Sequence, residues 1–181
     1  MNQAQKIAQI VERIGRLVAN TQHADGFKPV QWEVLRYLSE ANVFSRNPSA
    51  LGEYLGITKG SVSQTVSTLE QHDLLRKKSD KTDKRVVRLE LTPAGRSLLA
   101  ENPLQELSAT AEKLPAKQQA QLATGLEALL REHLNQQDRK PFGLCRDCRH
   151  LQVSDGAVHC GLLNVPLKAE HTELICAEFS A

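Results

Sequence analysis

The first 144 residues of this chain contain no cysteine, and all four cysteines of the sequence follow them. No apolar run approaches the roughly 18 residues that a membrane-spanning helix requires, and the N-terminal segment lacks the cationic and apolar blocks of a signal peptide. The sequence also has no Gly-x-Gly spacing, no phosphate-binding loop and no nucleophile paired with a base. We therefore expect a cytoplasmic protein that is not an enzyme and has no membrane partner.

Neither sign of charge predominates over the whole chain, since the formal net charge is only +2 for 181 residues. This length allows one domain with a small appendage, and 40% hydrophobic and 24% charged residues are typical of a globular protein. The cations are unevenly distributed, however. The segment from Arg76 to Arg88 contains seven lysines and arginines against two aspartates, so the distribution is more informative than the total.

Two helices joined by a tight turn are predicted between residues 49 and 72. Residues 49–55 form the first helix, Gly56 ends it in the left-handed conformation, and Thr58 is an N-cap for the second. The second helix, from Lys59 to about residue 72, has short polar side chains opposite its apolar stripe. These side chains are Ser61, Ser63, Gln64, Thr65, Ser67 and Thr68. Such a face predicts a helix-turn-helix, because short hydrogen-bonding groups let a helix approach base edges in a groove about 12 Å wide.

A basic hairpin is predicted directly after the second helix. Residues 74–77 and 86–91 are predicted to be strands, and the second of them alternates apolar and polar residues. Cations in the loop between them could neutralise phosphates or enter the minor groove, which is the role of the wing in a winged helix. The predicted DNA-binding residues of the helix and the wing are Thr58, Lys59, Ser61, Ser63, Gln64, Thr65, Thr68, Lys77, Lys81, Lys84 and Arg85.

Amphipathic helices are predicted on both sides of this unit. Residues 2–20 and 31–41 have apolar side chains at helical spacing, and Thr92 with Pro93 begins a further helix after the hairpin. Leucines continue this pattern as far as Leu134, where they are expected to line the buried side of the last helix. Residues 135–140 form a polar linker.

This order of elements resembles the MarR family of bacterial transcriptional regulators. The resemblance covers about residues 1–137 and depends on the helix-turn-helix, the wing sequence DKTDKR with VVRLELTPAGRSLL after it, and the segment PAKQQAQLATGLEALL. It implies a homodimer on a palindromic operator in double-stranded DNA, with interlocked N- and C-terminal helices and two recognition helices in successive major grooves. It also implies a pocket for a small-molecule effector, whose identity the sequence does not indicate.

Two positions depart from the family's pattern. The family's wing commonly reads D-x-R-D-x-R, and Asp80, Asp83 and Arg85 match it, but Thr82 replaces the first arginine. The recognition helix of the family often has an arginine at the position of Gln64, although glutamine can itself bind adenine through two hydrogen bonds. The predicted fold is mainly α with a small β-wing: a winged helix-turn-helix with long dimerisation helices, followed by a small cysteine-ligated C-terminal module.

The four cysteines have the spacing C-x2-C-x11-C-x15-C and are Cys145, Cys148, Cys160 and Cys176. In a reducing compartment, clustered cysteines more often bind a metal than pair as disulfides. Four thiolates complete a tetrahedral zinc site or hold an iron–sulfur cluster such as 4Fe–4S. Zinc sites usually have two close pairs of ligands, whereas this spacing resembles high-potential iron–sulfur proteins and the small cluster-bearing subunits of some glycyl-radical enzymes. Both cofactors stay open.

The sequence therefore predicts two parts, a winged-helix and dimerisation domain over residues 1–137 and a cysteine module over residues 141–181. The function that fits both is a DNA-binding transcriptional regulator that responds to redox or metal state. The alternative is an iron–sulfur electron-transfer or protein-interaction module that uses the winged helix as a scaffold. Because the module directly follows the last helix, any coupling is expected to pass through the dimer helices.

Overall fold

The computed structural model describes residues 1–24, 26–79, 87–154 and 156–180, with residues 22–24 described by their backbone only. The helices in these ranges are α1 (Gln3–Ala24), α2 (Pro29–Glu40), α3 (Pro48–Leu55), α4 (Lys59–Gln71), α5 (Pro93–Leu99), α6 (Leu104–Glu112) and α7 (Ala116–Gln136). The strands are β1 (Leu75–Ser79), β2 (Val87–Leu91), β3 (Gly143–Leu144), β4 (Leu151–Ser154), β5 (Ala157–Cys160), β6 (Val165–Leu167) and β7 (Ile175–Cys176).

The hydrophobic core lies around α2, which contacts α3, α4, α5 and the second wing strand. One face of α2 is fully buried because apolar residues recur at helical spacing along it. The core residues are Val34, Leu35, Tyr37, Leu38, Ala41, Leu51, Val62, Val66, Leu69, Leu74, Leu75, Leu89 and Leu91. The predicted helices and strands of this region are confirmed, with ends that differ by one or two residues.

The wing is an antiparallel pair whose register runs from Leu75 opposite Leu91 to Ser79 opposite Val87. Its second strand leads directly into α5, where the Thr92 hydroxyl accepts a hydrogen bond from the Gly95 amide at 3.0 Å. A Cβ at Gly95 would lie 2.0 Å from the Leu74 carbonyl oxygen. Glycine is therefore required for α5 to pack this closely against the wing.

The three helices α1, α6 and α7 have no buried side chain among their described residues. Their apolar side chains are instead exposed: Ile7, Ile10, Val11, Ile14 and Leu17 on α1, Leu107 on α6, and Leu122, Leu126, Leu129 and Leu130 on α7. Of the leucines predicted to line the buried side of α7, Leu134 is half-buried, and the described part of the same chain leaves the others exposed. None of the helices in the described ranges combines the length and the apolar character that crossing a membrane requires.

The segment after residue 140, here called the cysteine tail, has two small sheets. Strands β3 and β7 pair antiparallel, and β4, β5 and β6 form an antiparallel sheet in that order. The tail packs on the winged-helix region: Ile175 forms a parallel bridge with Ala41, and the Phe142 ring lies 5.2 Å from the Tyr54 ring, centroid to centroid. The tail is therefore docked next to α2 and α3.

Candidate functional site

The helix-turn-helix is built as the sequence predicted. Gly56 follows α3 with φ 68° and ψ 31°, the left-handed conformation that glycine adopts without strain. The Thr58 hydroxyl then accepts a hydrogen bond from the Ser61 amide at 3.2 Å and caps α4. A Cβ at Gly52 would lie 3.2 Å from the Val62 side chain, so α3 and α4 pack closely. The result is a rigid pair of helices whose second member presents one face to solvent.

The exposed face of α4 consists of the short polar residues that the sequence indicated. Thr58, Lys59, Ser61, Ser63 and Gln64 are exposed, and two further positions of the face are half-buried; these are Thr65 and Thr68. The apolar stripe is buried and consists of Val62, Val66 and Leu69. The Thr58 and Ser61 hydroxyls are hydrogen-bonded to each other at 3.0 Å, whereas Ser63 and Gln64 extend the polar surface along the helix. The first three turns of the helix have one charge, that of Lys59.

The basic residues at the base of the wing are held in ion pairs. The Lys77 Nζ lies 2.7 Å from Glu70 Oε2, which joins the wing to the C-terminal end of α4. This side-chain hydrogen bond from Lys77 lowers the pKa of Glu70 below its usual value. Arg76 and Lys78 both bind Glu90 across the hairpin, at 3.0 and 3.1 Å. Sequence reasoning treated Lys77 as a free cation and missed its partner, although Glu70 is only seven residues away.

Three of the predicted wing residues, Lys81, Lys84 and Arg85, lie outside the described residues. Their assignment to DNA binding stays a prediction, as it does for the residues on α4 and for Lys77.

The four cysteines are free thiols, and three of them are buried. Cys145, Cys160 and Cys176 lie in the interior of the tail, whereas Cys148 is half-buried. Burial raises the pKa of the Cys145 thiol to about 11, and the three other cysteines add to this because nearby thiolates repel its negative form. In the described part of the chain, no group of three or more His, Cys, Asp or Glu side chains is arranged to hold a metal ion. The metal site stays a prediction.

The segment between α2 and α3, residues 41–46, is a functional candidate that sequence reasoning missed. The Ala177 amide donates to the Ser45 hydroxyl oxygen at 2.8 Å, and the Asn42 amide donates to the Ile175 carbonyl at 2.8 Å. The partners Ser45 and Ala177 are 132 residues apart. No local sequence pattern indicates a contact of that separation, and these residues look like an ordinary loop.

A second contact that sequence reasoning missed involves the linker after α7. The Arg139 Nη2 donates to the Glu53 carbonyl at 2.5 Å, near the end of α3 where backbone carbonyls have no helical partner. A Cβ at Gly56 would lie 2.6 Å from Arg139 Nη1, so glycine at the turn also makes room for the guanidinium. The predicted linker is thus held against the helix-turn-helix.

These elements define the class of protein: a winged helix-turn-helix protein with long flanking helices. Solved structures of the same fold include a MarR/EmrR family transcriptional regulator from Acinetobacter sp. ADP1, which is 22% identical, with 75% of this chain and 99% of that chain covered and a TM-score of 0.60. A MarR transcriptional regulator from Methanosarcina mazei Go1 is 20% identical, with 73% and 96% covered and a TM-score of 0.59. The S. aureus MepR–DNA complex is 18% identical, with 73% and 98% covered and a TM-score of 0.58.

The sequence itself gives a more specific comparison. Residues 25–86 match the model of the MarR family, and this span includes α2, α3, α4 and β1. No curated protein matches the chain. The three structures above are each covered almost completely, yet each leaves about a quarter of this chain unmatched.

Proposed function

We propose that this chain is a MarR-type transcriptional regulator that binds a palindromic operator in double-stranded DNA as a homodimer. The observation that carries the proposal is the exposed polar face of α4, which lies beside a basic hairpin. The match of residues 25–86 to the MarR family model supports it, as does the structural likeness to MepR, whose structure was solved as a complex with DNA.

The exposed face of α4 fits a recognition helix in a major groove. Ser61, Ser63 and Gln64 offer hydrogen-bond donors and acceptors without the bulk or charge that would keep the backbone away from base edges. Lys59, in the first turn of the helix, suits a phosphate contact. At the other end, the ion pair with Lys77 offsets the charge of Glu70, the acid that would otherwise repel the DNA backbone.

The homodimer follows from the apolar stripes of α1 and α7. Side chains such as Ile10 and Leu126 are about half exposed in the single chain, at 47% and 50%. Contiguous apolar surface of this kind marks a protein–protein interface. Two helices of 22 and 21 residues would bury their stripes against those of a second copy. A two-fold dimer then places two α4 helices on the two halves of a palindrome.

The first test measures DNA binding by fluorescence anisotropy, with an operator selected from a pool of random duplexes. We expect Gln64→Ala to weaken binding to the selected site by about 5- to 150-fold, the equivalent of about 1–3 kcal/mol for one base contact, and to leave binding to unrelated duplexes unchanged. Lys59→Ala should weaken binding to all duplexes equally and reduce its salt dependence. Gln121→Ala, at an exposed position of α7 away from the centre of its apolar stripe, is the control. Failure of the wild-type protein to bind any duplex at low salt contradicts the proposal.

The second test concerns the dimer. Leu126→Glu places a charge in the middle of the α7 stripe, so we expect sedimentation to show monomers and operator affinity to fall with the dimer. Thr124→Glu, two residues away and therefore on the opposite side of the same helix, is the matched control and should remain dimeric. A Leu126→Glu variant with an unchanged dimer would place the interface elsewhere.

A further inference from the structure

The interior of the cysteine tail consists largely of its cysteines. In the described ranges 141–154 and 156–180, the buried apolar residues are Cys145, Cys160, Cys176 and Ala177. Its larger apolar side chains lie nearer the surface; Val153 and Leu162 are 68% and 48% exposed. A segment of about 40 residues rarely buries enough apolar surface to be stable without a disulfide, a metal or a partner. The cysteines are therefore placed where such a module needs a cross-link.

Backbone hydrogen bonds place Cys145 and Cys176 on adjacent segments of the tail. The Cys145 amide donates to the Leu174 carbonyl at 3.2 Å and Gly143 lies opposite Cys176, so Cys145 and Cys176 are diagonal neighbours on adjacent segments. Diagonal neighbours of this kind have Cα atoms about 7–8 Å apart and share one face.

The other two cysteines, Cys148 and Cys160, are both next to Leu151 at the start of β4. Leu151 lies opposite Cys160, and the Leu151 amide donates to the Cys148 carbonyl at 3.0 Å. The Cys148 amide in turn donates to the Cys145 carbonyl at 3.1 Å, so one turn connects the two pairs.

One sulfur already has the hydrogen bond that metal-bound thiolates receive. The Leu163 amide is 3.5 Å from Cys160 Sγ and points toward it. Backbone N–H groups directed at cysteine sulfur stabilise metal–thiolate bonds and tune iron–sulfur clusters. Among the described residues, no three of these side chains are arranged to hold a metal ion. Metal binding therefore requires the thiols to turn toward one another from these backbone positions.

The ligand chemistry selects a thiophilic metal. Four sulfur donors suit zinc or iron–sulfur clusters, whereas magnesium and calcium require oxygen ligands. Each thiol that becomes a ligand releases its proton to solvent.

The cysteine closest to the winged-helix region is Cys176, and both of its neighbours are bound to the segment of residues 41–46, here called the bridging segment. The Ile175 carbonyl accepts from the Asn42 amide, and the Ala177 amide donates to the Ser45 hydroxyl oxygen, each at 2.8 Å. Ser45 and Asn42 are buried, at 1% and 4% exposure. The Ser45 hydroxyl donates to Asn42 Oδ1 at 2.8 Å, which fixes the two residues relative to each other.

The opposite edge of the bridging segment is bound to the wing. The Leu89 amide donates to the Arg46 carbonyl at 2.8 Å, and Arg88 Nη1 donates to the Val43 carbonyl at 2.5 Å. Residues 88 and 89 belong to β2, the second wing strand. Hydrogen bonds on its two edges therefore connect the chain neighbours of Cys176 to the wing through the backbone of the bridging segment.

We propose that the four cysteines hold one thiophilic metal centre, a zinc ion or an iron–sulfur cluster, and that its occupancy keeps β7 on the bridging segment and so sets the position of the wing. The effect on DNA rests on the proposed function, whereas the metal site and its contact with the bridging segment do not. Although the tail follows α7 directly, this route to the DNA-binding surface runs through the loop between α2 and α3 and not only through the dimer helices.

The test uses the full chain purified without oxygen. Metal and sulfide analysis with an absorption spectrum is expected to give either one zinc per chain or iron with labile sulfide and visible absorption, and either result supports the site. Removal of the metal with a chelator should lower the hydrogen-exchange protection of the Asn42 and Ala177 amides at least tenfold. The same two amides should lose protection in Cys148→Ser, together with the metal. Metal-free protein, or disulfides found by mass spectrometry, overturns the site.

A second variant separates the metal from the coupling. Ser45→Ala removes the acceptor of the Ala177 amide without touching a cysteine, so metal content should stay at the wild-type value while Ala177 loses protection. Operator affinity should change at least threefold in the same direction on metal removal and in Ser45→Ala. Bound metal with unchanged exchange at Asn42 and Ala177 overturns the coupling. Metal-dependent exchange without any DNA binding supports the metal site and its contact, and contradicts only the proposed function.

Discussion

The winged-helix region and the cysteine tail differ in what fills their interiors. The first encloses large aliphatic and aromatic side chains, such as Leu35, Tyr37 and Leu69, each at most 1% exposed. The second encloses thiols and an alanine among its described residues. It contacts the first through the apolar side chains of Phe142 and Ile175 and through hydrogen bonds of the backbone and of Ser45. An aliphatic core stabilises a fold without a bound ligand, whereas the stability of a core made of thiols depends on what the thiols bind. This difference fits a constant winged-helix unit with a conditional attachment.

The largest expected difference between the two regions comes from replacing one leucine by alanine in each of them. Leu35→Ala should lower the free energy of unfolding by about 2–5 kcal/mol, because it leaves a cavity in a packed core. Leu162→Ala in the tail should change it by no more than about 0.5 kcal/mol, because the leucine is half exposed. Trp32, the single tryptophan of the chain and 1% exposed, reports unfolding of the winged-helix region in urea. Equal losses in the two variants would show that the tail has an aliphatic core after all.

Two glycines offer a second, smaller test of the same difference. A Cβ at Gly95 meets the Leu74 carbonyl oxygen at 2.0 Å, and a backbone atom in the core has nowhere to move. We expect Gly95→Ala to cost about 1–3 kcal/mol by overpacking, measured in urea through Trp32.

In the tail, a Cβ added at Gly143 would instead contact an aromatic side chain that can move. A Cβ at Gly143 lies 2.8 Å from the Phe179 ring, which can rotate away at a cost of about 0.5–1.5 kcal/mol. Gly143→Ala should therefore leave Trp32 unfolding unchanged. It should reduce the exchange protection of the Arg149 amide, which donates to the Ser180 carbonyl next to the ring, by up to about tenfold. A loss of winged-helix stability equal to that of Gly95→Ala would mean that the tail and the winged-helix region unfold as one unit.

The sequence predicted the winged-helix region well because its signals are local. Helical spacing of apolar residues placed α2, α3 and α4, and Gly56 and Thr58 marked the turn between the last two. The same reasoning placed the exposed polar face of α4 correctly. For α7, periodicity shows that the helix has an apolar side but not whether the same chain or a second one covers it, and the described part of the chain leaves most of its leucines exposed.

The candidate site was less predictable where it depends on distant pairs. The cysteine spacing indicated a common site but not that the pairing of β3 with β7 places Gly143 opposite Cys176 and so brings Cys145 near it. Nothing in the sequence relates Ser45 to Ala177, since only the docked position of the tail brings them together. The Lys77–Glu70 pair was missed for a different reason, because the bend after α4 reverses the chain and brings the two charges face to face.

The smallest effect concerns the ion pairs of the wing. Hydrogen bonding from Lys78, with a further contribution from Arg76, holds the pKa of Glu90 below its usual value in the folded chain. A carboxyl with a lowered pKa contributes stability above its unfolded pKa, and this contribution disappears as the pH falls through the folded pKa. Because both cations are more than half exposed, we expect it to be about 0.2–1 kcal/mol.

Glu90→Gln should therefore unfold more easily than the wild type at pH 7, and this difference should shrink as the pH falls and the wild-type carboxyl becomes protonated. Urea unfolding through Trp32 over a series of pH values measures it, and Glu101→Gln, an exposed site on the turn after α5, is the control. High salt should reduce the difference as well, since solvent-exposed pairs are screened. A difference that does not shrink as the pH is lowered would mean that Glu90 stabilises the hairpin through packing of its side chain and not through its charge.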